Sequence, residues 1–399
     1  MAEKVLLLEN INPIAGKIFY ENGFKVESLP GSLHQNDLHK KVKDISILGI
    51  RSKTYISKEV LNYADSLKVL GAYCIGTDQI NIPECSAKGV AIFNAPYSNT
   101  RSVAELVMGD ITMLLRGIFD KSRDMHNGIW NKSSENSSEV RGKTLGIVGY
   151  GHIGSQAADL AERKGMNVVY FDLVPQQSRG NVKKCNSLEE LLKISDVVTL
   201  HVDGRERNRG FFGKKEFEAM KDKSYFLNLS RGFVLDEYAL AEYIDNGKII
   251  GAAIDVFQKE PLNNNEEFKS PLQNKKNVIL TPHIGGNTRE AQEDIASFVS
   301  NKLISFYLNG DTSLSVNLPP TILEPEDHKT RFSHLHKNVP GVMAGLSDIF
   351  ANHKINISSQ SLKTKDNLGY LIATIDSPLY DGLADELKKV DGTIRLRIM

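Results

Sequence analysis

From Thr144 onward the sequence alternates short apolar runs with stretches of helical spacing. The runs are TLGIVG, NVVYFD, DVVTLHV, SYFLNLS, IIGAAIDV and NVILTP, and IGSQAADLAERKG separates the first two. Strands separated by helices in this way cannot pair as hairpins, so the pattern predicts a parallel sheet wound with helices on both faces. The first 99 residues repeat the theme in VLLLEN, KVESL, ISILGI, KVLGAY and VAIFNA, which predicts a second α/β domain. Two long helical patterns, 101–119 and 287–310, flank the middle unit and are expected to carry the chain into it and back out.

LPPTILEPEDHKT, rich in proline and charge, then reads as a linker. The remaining sequence follows the order β-α-β-β-α-β: TRFSHLHK, VMAGLSDIFANHK, INISSQSLK, GYLIATID, GLADELKKV, TIRLRIM. The expected fold class is therefore α/β, two doubly wound Rossmann- or flavodoxin-like domains with a small α+β module. Residues 1–99 and 287–318 are expected to form one discontinuous domain, 100–286 the nucleotide domain, 319–329 the linker and 330–399 the module.

Lys+Arg and Asp+Glu both number 49, which argues against a nucleic-acid footprint and against attachment to an anionic membrane. No signal peptide and no run of eighteen apolar residues is visible, so a soluble, cytoplasmic protein is expected. Three cysteines, Cys74, Cys85 and Cys185, have no metal-binding spacing, and reduced thiols without a metal are expected.

GIVGYGHIG places Gly149, Gly151 and Gly154 between an apolar strand and a helix. The first permits a tight turn, the second lets a pyrophosphate approach the backbone, and the third lets helix and strand pack closely, with the helix N-terminus facing the phosphates. Asp172 ends the next strand, where a carboxylate bonds ribose hydroxyls and repels a 2′-phosphate. NAD is therefore expected rather than NADP, although Arg179 stands nearby.

Oxidising an alcohol needs a base for the hydroxyl proton, a cation for a neighbouring carboxylate and a group that orients the base. Arg231 in NLSRG, Glu260 in DVFQKEP and His283 in TPHIGG follow three successive predicted strands and supply one candidate each. The glycines after His283 are expected to leave room beside its ring for nicotinamide and substrate.

GYGHIG, NLSRG, DVFQKEP and TPHIGGNTREAQ resemble the D-2-hydroxyacid dehydrogenase family over residues 5–318. The resemblance implies that Arg231, Glu260 and His283 are catalytic. It also implies nucleotide contacts at His152, Ile153, Asp172, Leu229, Ser230, Arg231, Asp255, His283, Ile284, Gly285 and Gly286. GIRSKT and NAPYSNTRSVAEL, with WNK further on, are similar to members of the family that oxidise 3-phospho-D-glycerate on the route to L-serine. That likeness implies substrate contacts at Arg51, Ser52, Lys53, Asn99 and Lys132. Trp130 is the only tryptophan and reads as an anchor at a subunit contact.

The final module resembles an ACT domain, which implies pairing with another copy and an amino-acid effector, L-serine, held by His336, Asn338 and Asn356. The implied partners are small molecules and further copies of the chain, as a dimer of dimers. A reductase of hydroxypyruvate, glyoxylate or 2-oxoglutarate is the alternative enzyme. An NADH-sensing corepressor is the alternative of another class.

Overall fold

A computed structural model describes residues 3–261, 265–326, 328–378 and 382–399. The chain divides into two compact units, Met1–Ser98 with Gln292–Met399, and Asn99–Ala291.

The first unit contains a parallel sheet of five strands, β1 (Lys4–Leu7), β2 (Lys25–Ser28), β3 (Ile47–Ile50), β4 (Val69–Ala72) and β5 (Ala91–Asn94), in the order β2-β1-β3-β4-β5. The apolar runs VLL, ILGI and AIF place alternate side chains on opposite faces, so each face carries its own core. One core contains Leu6, Leu48, Leu70 and Ile92. The other contains Val5, Ile47, Val69 and Phe93, covered by Ile295, Val299, Leu303 and Phe306 from the helix Arg289–Asn309.

The second unit contains seven strands: β6 (Thr144–Val148), β7 (Asn167–Phe171), β8 (Lys183–Lys184), β9 (Val197–Leu200), β10 (Ser224–Asn228), β11 (Ile249–Ile254) and β12 (Val278–Leu280). Their order is β12-β11-β10-β9-β6-β7-β8, so the direction of winding reverses beside β6. Ligands in such sheets bind at that switch point, outside the carboxyl ends of the strands. The two-residue β8 has no apolar signature and is absent from the sequence reading.

The expected 101–119 helix stops early. The helix Thr100–Arg116 buries Val103, Val107, Ile111 and Leu114 at spacings of three and four, each worth about 1.5–3 kcal/mol when removed from water. Gly117 then takes φ 57°, a left-handed C-terminal stop, and a second helix, Ile118–His126, begins.

The C-terminal module forms an antiparallel sheet from β13 (Thr330–Lys337), β14 (Ile357–Lys365), β15 (Leu368–Ile375) and β16 (Thr393–Ile398), in the order β14-β15-β13-β16. On one face Phe332, Leu371 and Ala373 pack against Leu346, Phe350 and Leu387 of its two helices. On the other face Leu335, Tyr370 and Ile372 share a core with Val299, Leu303 and Phe306. The module is therefore docked on its own unit.

Two arginines at alternate positions of β16 fasten it. Arg395 donates to the carbonyl oxygen of Leu67 at 2.6 Å. Arg397 donates to those of Phe306 at 3.1 Å and Tyr307 at 2.5 Å, near the C-terminal end of the Arg289–Asn309 helix, where the helix dipole favours a cation. The segment read as a linker is also pinned: Thr312 and Thr321 exchange backbone and side-chain hydrogen bonds, and Leu318 and Thr321 are buried.

Candidate active site

Arg231, Glu260 and His283 follow β10, β11 and β12, which are neighbours in one parallel sheet, so all three stand at one edge. The structure joins two of them directly. His283 Nδ1 lies 2.8 Å from Glu260 Oε2 and 3.1 Å from Oε1. That hydrogen bond raises the His283 pKa above its ordinary 6.5, against the pull of burial. Burial acts upward on Glu260, but the hydrogen bond and charge of His283 outweigh it and hold the carboxyl below its ordinary value. A carboxylate on Nδ1 leaves Nε2 as the nitrogen that can accept a proton. The Arg231 charge acts on both residues, while its Nη1 donates to the Ser230 carbonyl oxygen at 2.8 Å.

Local bonding explains how each side chain is aimed. Buried Asn228 accepts from the Ser230 N–H at 3.1 Å and donates to the Arg231 carbonyl oxygen at 3.1 Å, which folds the turn that presents Arg231. An asparagine bonding its own backbone two residues on is a turn signal readable in NLSRG, and it was missed. The Asp255 carboxylate folds the histidine loop, accepting from Thr281 Oγ1 at 2.6 Å, Ile284 N–H at 2.8 Å and Gly285 N–H at 2.8 Å. His283 itself takes φ 54°, a left-handed backbone that this loop must hold in place.

The glycines of TPHIGG have a tighter duty than leaving space. A Cβ on Gly285 would lie 3.0 Å from Asp255 Oδ2, and one on Gly286 would lie 2.1 Å from Asn99 Nδ2. A side chain at either position would have to displace the Asp255 or Asn99 side chain. Asp110 is a second group the sequence reading missed. It sits 2 % exposed on the Thr100–Arg116 helix, and burial, followed by the charge of Asp255, pushes its carboxyl up to about 7.

The glycine loop has the form a dinucleotide requires. Gly149 has φ 95°, and a Cβ there would meet the His201 carbonyl oxygen at 2.6 Å. A Cβ on Gly154 would meet the Gly149 carbonyl oxygen at 2.2 Å, so helix and loop are in contact. Gly151 has nothing within 4 Å of its Cβ position, and the helix His152–Arg163 that follows has no side-chain cap. An open cradle before an uncapped helix N-terminus fits a pyrophosphate. Asp172, just past β7, accepts from the Tyr150 N–H at 2.8 Å and the Val174 N–H at 2.8 Å and keeps lone pairs for a ribose. Arg179 approaches Asp159 at 3.9 Å. Ile153 is half-buried, Leu229 and Ser230 are buried at the end of β10, and Ile284 is exposed.

Arg51, Ser52 and Lys53 form the turn after β3 in the first unit, with Ser52 and Lys53 exposed. Asn99 and Lys132 belong to the second unit, and Lys132 is exposed beside Trp130, which is 77 % exposed. The three effector residues do not meet within one chain. Asn338 lies at the Lys337/Leu368 end of the module's sheet, and His336 pairs with Gly369 near it. Asn356 donates to Asp376 Oδ2 at 2.6 Å at the opposite end, about 20 Å away along β15. His336 is 3 % exposed, its Nδ1 is 3.2 Å from His334 Nδ1, and burial lowers its pKa.

Among the described residues no helix is long and apolar enough to cross a membrane, and no group of three or more candidate ligands is placed to hold a metal. Residues 108–285 match the model of the D-isomer specific 2-hydroxyacid dehydrogenase NAD-binding domain, and residues 332–395 that of an AHAS small subunit-like ACT domain. D-3-phosphoglycerate dehydrogenase of Dictyostelium discoideum is 43% identical over 396 residues, 99% of this chain and 97% of its own. The enzyme of that name from Escherichia coli K12 is 41% identical over 399 residues, with the same coverage. The solved D-lactate dehydrogenase of Aquifex aeolicus, complexed with NAD and lactic acid, superposes with a TM-score of 0.69 at 25% identity, over 79% of this chain and 99% of that one.

Proposed function

This chain belongs to the D-isomer specific 2-hydroxyacid dehydrogenases, and on that premise we propose that it oxidises 3-phospho-D-glycerate to 3-phosphohydroxypyruvate with NAD. The observation that carries the chemistry is the His283–Glu260 pair at 2.8 Å, at the carboxyl edge of the same sheet whose β6 leads into the dinucleotide loop. Bound NAD supplies the hydride acceptor. His283 removes the C2 hydroxyl proton through Nε2, Glu260 fixes the ring and stabilises the imidazolium, and Arg231 holds the substrate carboxylate. Gly149, Gly151, His152, Ile153 and Gly154 hold the pyrophosphate and Asp172 the ribose. Leu229, Ser230, Asp255 and residues 283–286 line the nicotinamide end. Arg51, Ser52 and Lys53 are the proposed contacts for the phosphate end of the substrate, and Asn99 and Lys132 are proposed as further substrate contacts.

Near-full-length likeness to two phosphoglycerate dehydrogenases supports the phosphorylated substrate over other 2-oxo acids. NADH oxidation with phosphohydroxypyruvate tests the reading. Turnover should exceed that on hydroxypyruvate, glyoxylate and 2-oxoglutarate, and preference for any of these would overturn it.

L-serine is the proposed effector, bound between two modules. The separation of Asn356 from His336 and Asn338 supports this, because a two-fold related copy is needed to complete the set. Trp130, with exposed Ile118, Phe119, Met125 and Ile129, offers a second apolar face on the nucleotide unit. Both faces together give a dimer of dimers, in the cytoplasm. L-serine should slow NADH oxidation, and a set of rates unchanged by serine would remove the effector.

A further inference from the structure

The turn proposed to take the substrate's phosphate is built around a buried acid. Glu9 follows β1, is 7 % exposed and has φ 63°, and Asn10 after it has φ 52°. Two successive left-handed residues without glycine are held only where the surroundings fix them. They are fixed on both sides of the side chain: Glu9 N–H donates to Gly31 and Asn10 N–H to Leu29. The carboxylate then reaches under the 51–54 turn. Oε1 accepts from Arg51 N–H at 3.1 Å and Thr54 N–H at 2.8 Å, and Oε2 accepts from Lys53 N–H at 2.9 Å. Gln79 holds the same turn from its other polar edge, donating to the Arg51 carbonyl oxygen at 2.5 Å.

An array of convergent backbone N–H groups is by itself a place for an anion. Here the chain fills it with its own carboxylate, so these donors are committed before any substrate arrives. Among the described residues the Arg51 and Lys53 side chains form no ion pair. We propose that Glu9 is a positioning residue for phosphate recognition: it takes up the Arg51, Lys53 and Thr54 N–H donors of the turn and so fixes the backbone from which the side chains of Arg51, Ser52 and Lys53 read the phosphate. This rests on the assignment of that turn to the substrate's phosphate.

Glutamine in place of glutamate keeps the shape but offers one acceptor oxygen where three N–H groups converge, and turns an NH2 toward the others. In the full-length protein, Glu9→Gln should raise KM for phosphohydroxypyruvate about tenfold, with kcat within about twofold. KM for unphosphorylated hydroxypyruvate and the affinity for NADH should stay within about twofold. Glu9→Asp, which keeps the charge but shortens the reach, should show a smaller loss confined to the phosphorylated substrate, and it serves if Glu9→Gln does not fold. Equal losses on both substrates, or none on either, would overturn the proposal. Arg51→Ala separates this from the reading beneath it. If it lowers phosphate discrimination while Glu9→Gln does not, the role of Glu9 fails alone. If neither Arg51→Ala nor Lys53→Ala alters discrimination, the assignment of the turn fails first.

Discussion

The main-chain N–H of His283 donates to the carbonyl oxygen of Asp255 at 2.9 Å, while the Asp255 carboxylate takes the N–H groups of the two residues that follow the histidine. One buried residue therefore grips the histidine loop from both sides, and Glu260 is left to hold only the ring. Asp255 sets the backbone geometry, and Glu260, with a smaller contribution from the Asp255 charge, raises the proton affinity of the ring.

Glu260→Gln should lower kcat for hydroxyacid oxidation by about tenfold or more and move its pH dependence. The sign follows from the raised pKa of His283. Oxidation needs the neutral ring, so its rate rises with pH through an inflection above 6.5, and reduction, which needs the protonated ring, falls through the same point. Without the Glu260 charge the inflection should move toward lower pH in both directions. Rate profiles measured in each direction check this, and an unmoved inflection would remove Glu260 from the role.

Asp172→Ala should weaken discrimination against NADP on the order of tenfold, since the repelling carboxylate is gone and Arg179 stands nearby. The ratio of kcat/KM for the two cofactors is the measurement. Melting temperature should be followed in parallel, because Asp172 also accepts the Tyr150 N–H.

Asp110→Asn should stabilise the protein at neutral and alkaline pH and do little near pH 3. The folded carboxyl titrates near 7 against an ordinary 3.8, so between these values the folded state holds the proton more tightly and stability falls as pH rises. The amide removes that penalty. Thermal unfolding of both proteins from pH 3 to 8 should show their difference growing across this window.

Arg397→Ala should loosen the C-terminal module by roughly 1.5–3 kcal/mol, the scale of a hydrogen bond to a charged donor. Protease cleavage near residues 319–329 should accelerate, with the cofactor affinity of the second unit unchanged. Arg395→Ala should act in the same direction through its bond to Leu67.

The parallel sheets were legible because most of their strands are apolar runs, and the glycine loop because its spacing follows from backbone contact. The histidine loop was legible as a location but not in its cause. Gly285 and Gly286 were read as clearance for ligands, whereas Asp255 and Asn99 press against them. That pressure comes from residues 30 and more positions away, which no local pattern records. Gly117 was passed over because the apolar spacing continues past it, although a left-handed stop was available at that residue. The docking of the last module was hidden for a related reason: nothing in the local sequence around Leu335, Tyr370 and Ile372 says which core they enter.

That shared core ties the tail to the rest of its unit. β13 and β15 are the wall of one hydrophobic interior and the floor of another, and Arg397 clasps the tip of the Arg289–Asn309 helix. A tail seated in this way keeps its core and its anchors only where Phe306, Tyr307 and the surface around Leu67 are present, so module and supporting helix behave as a single block.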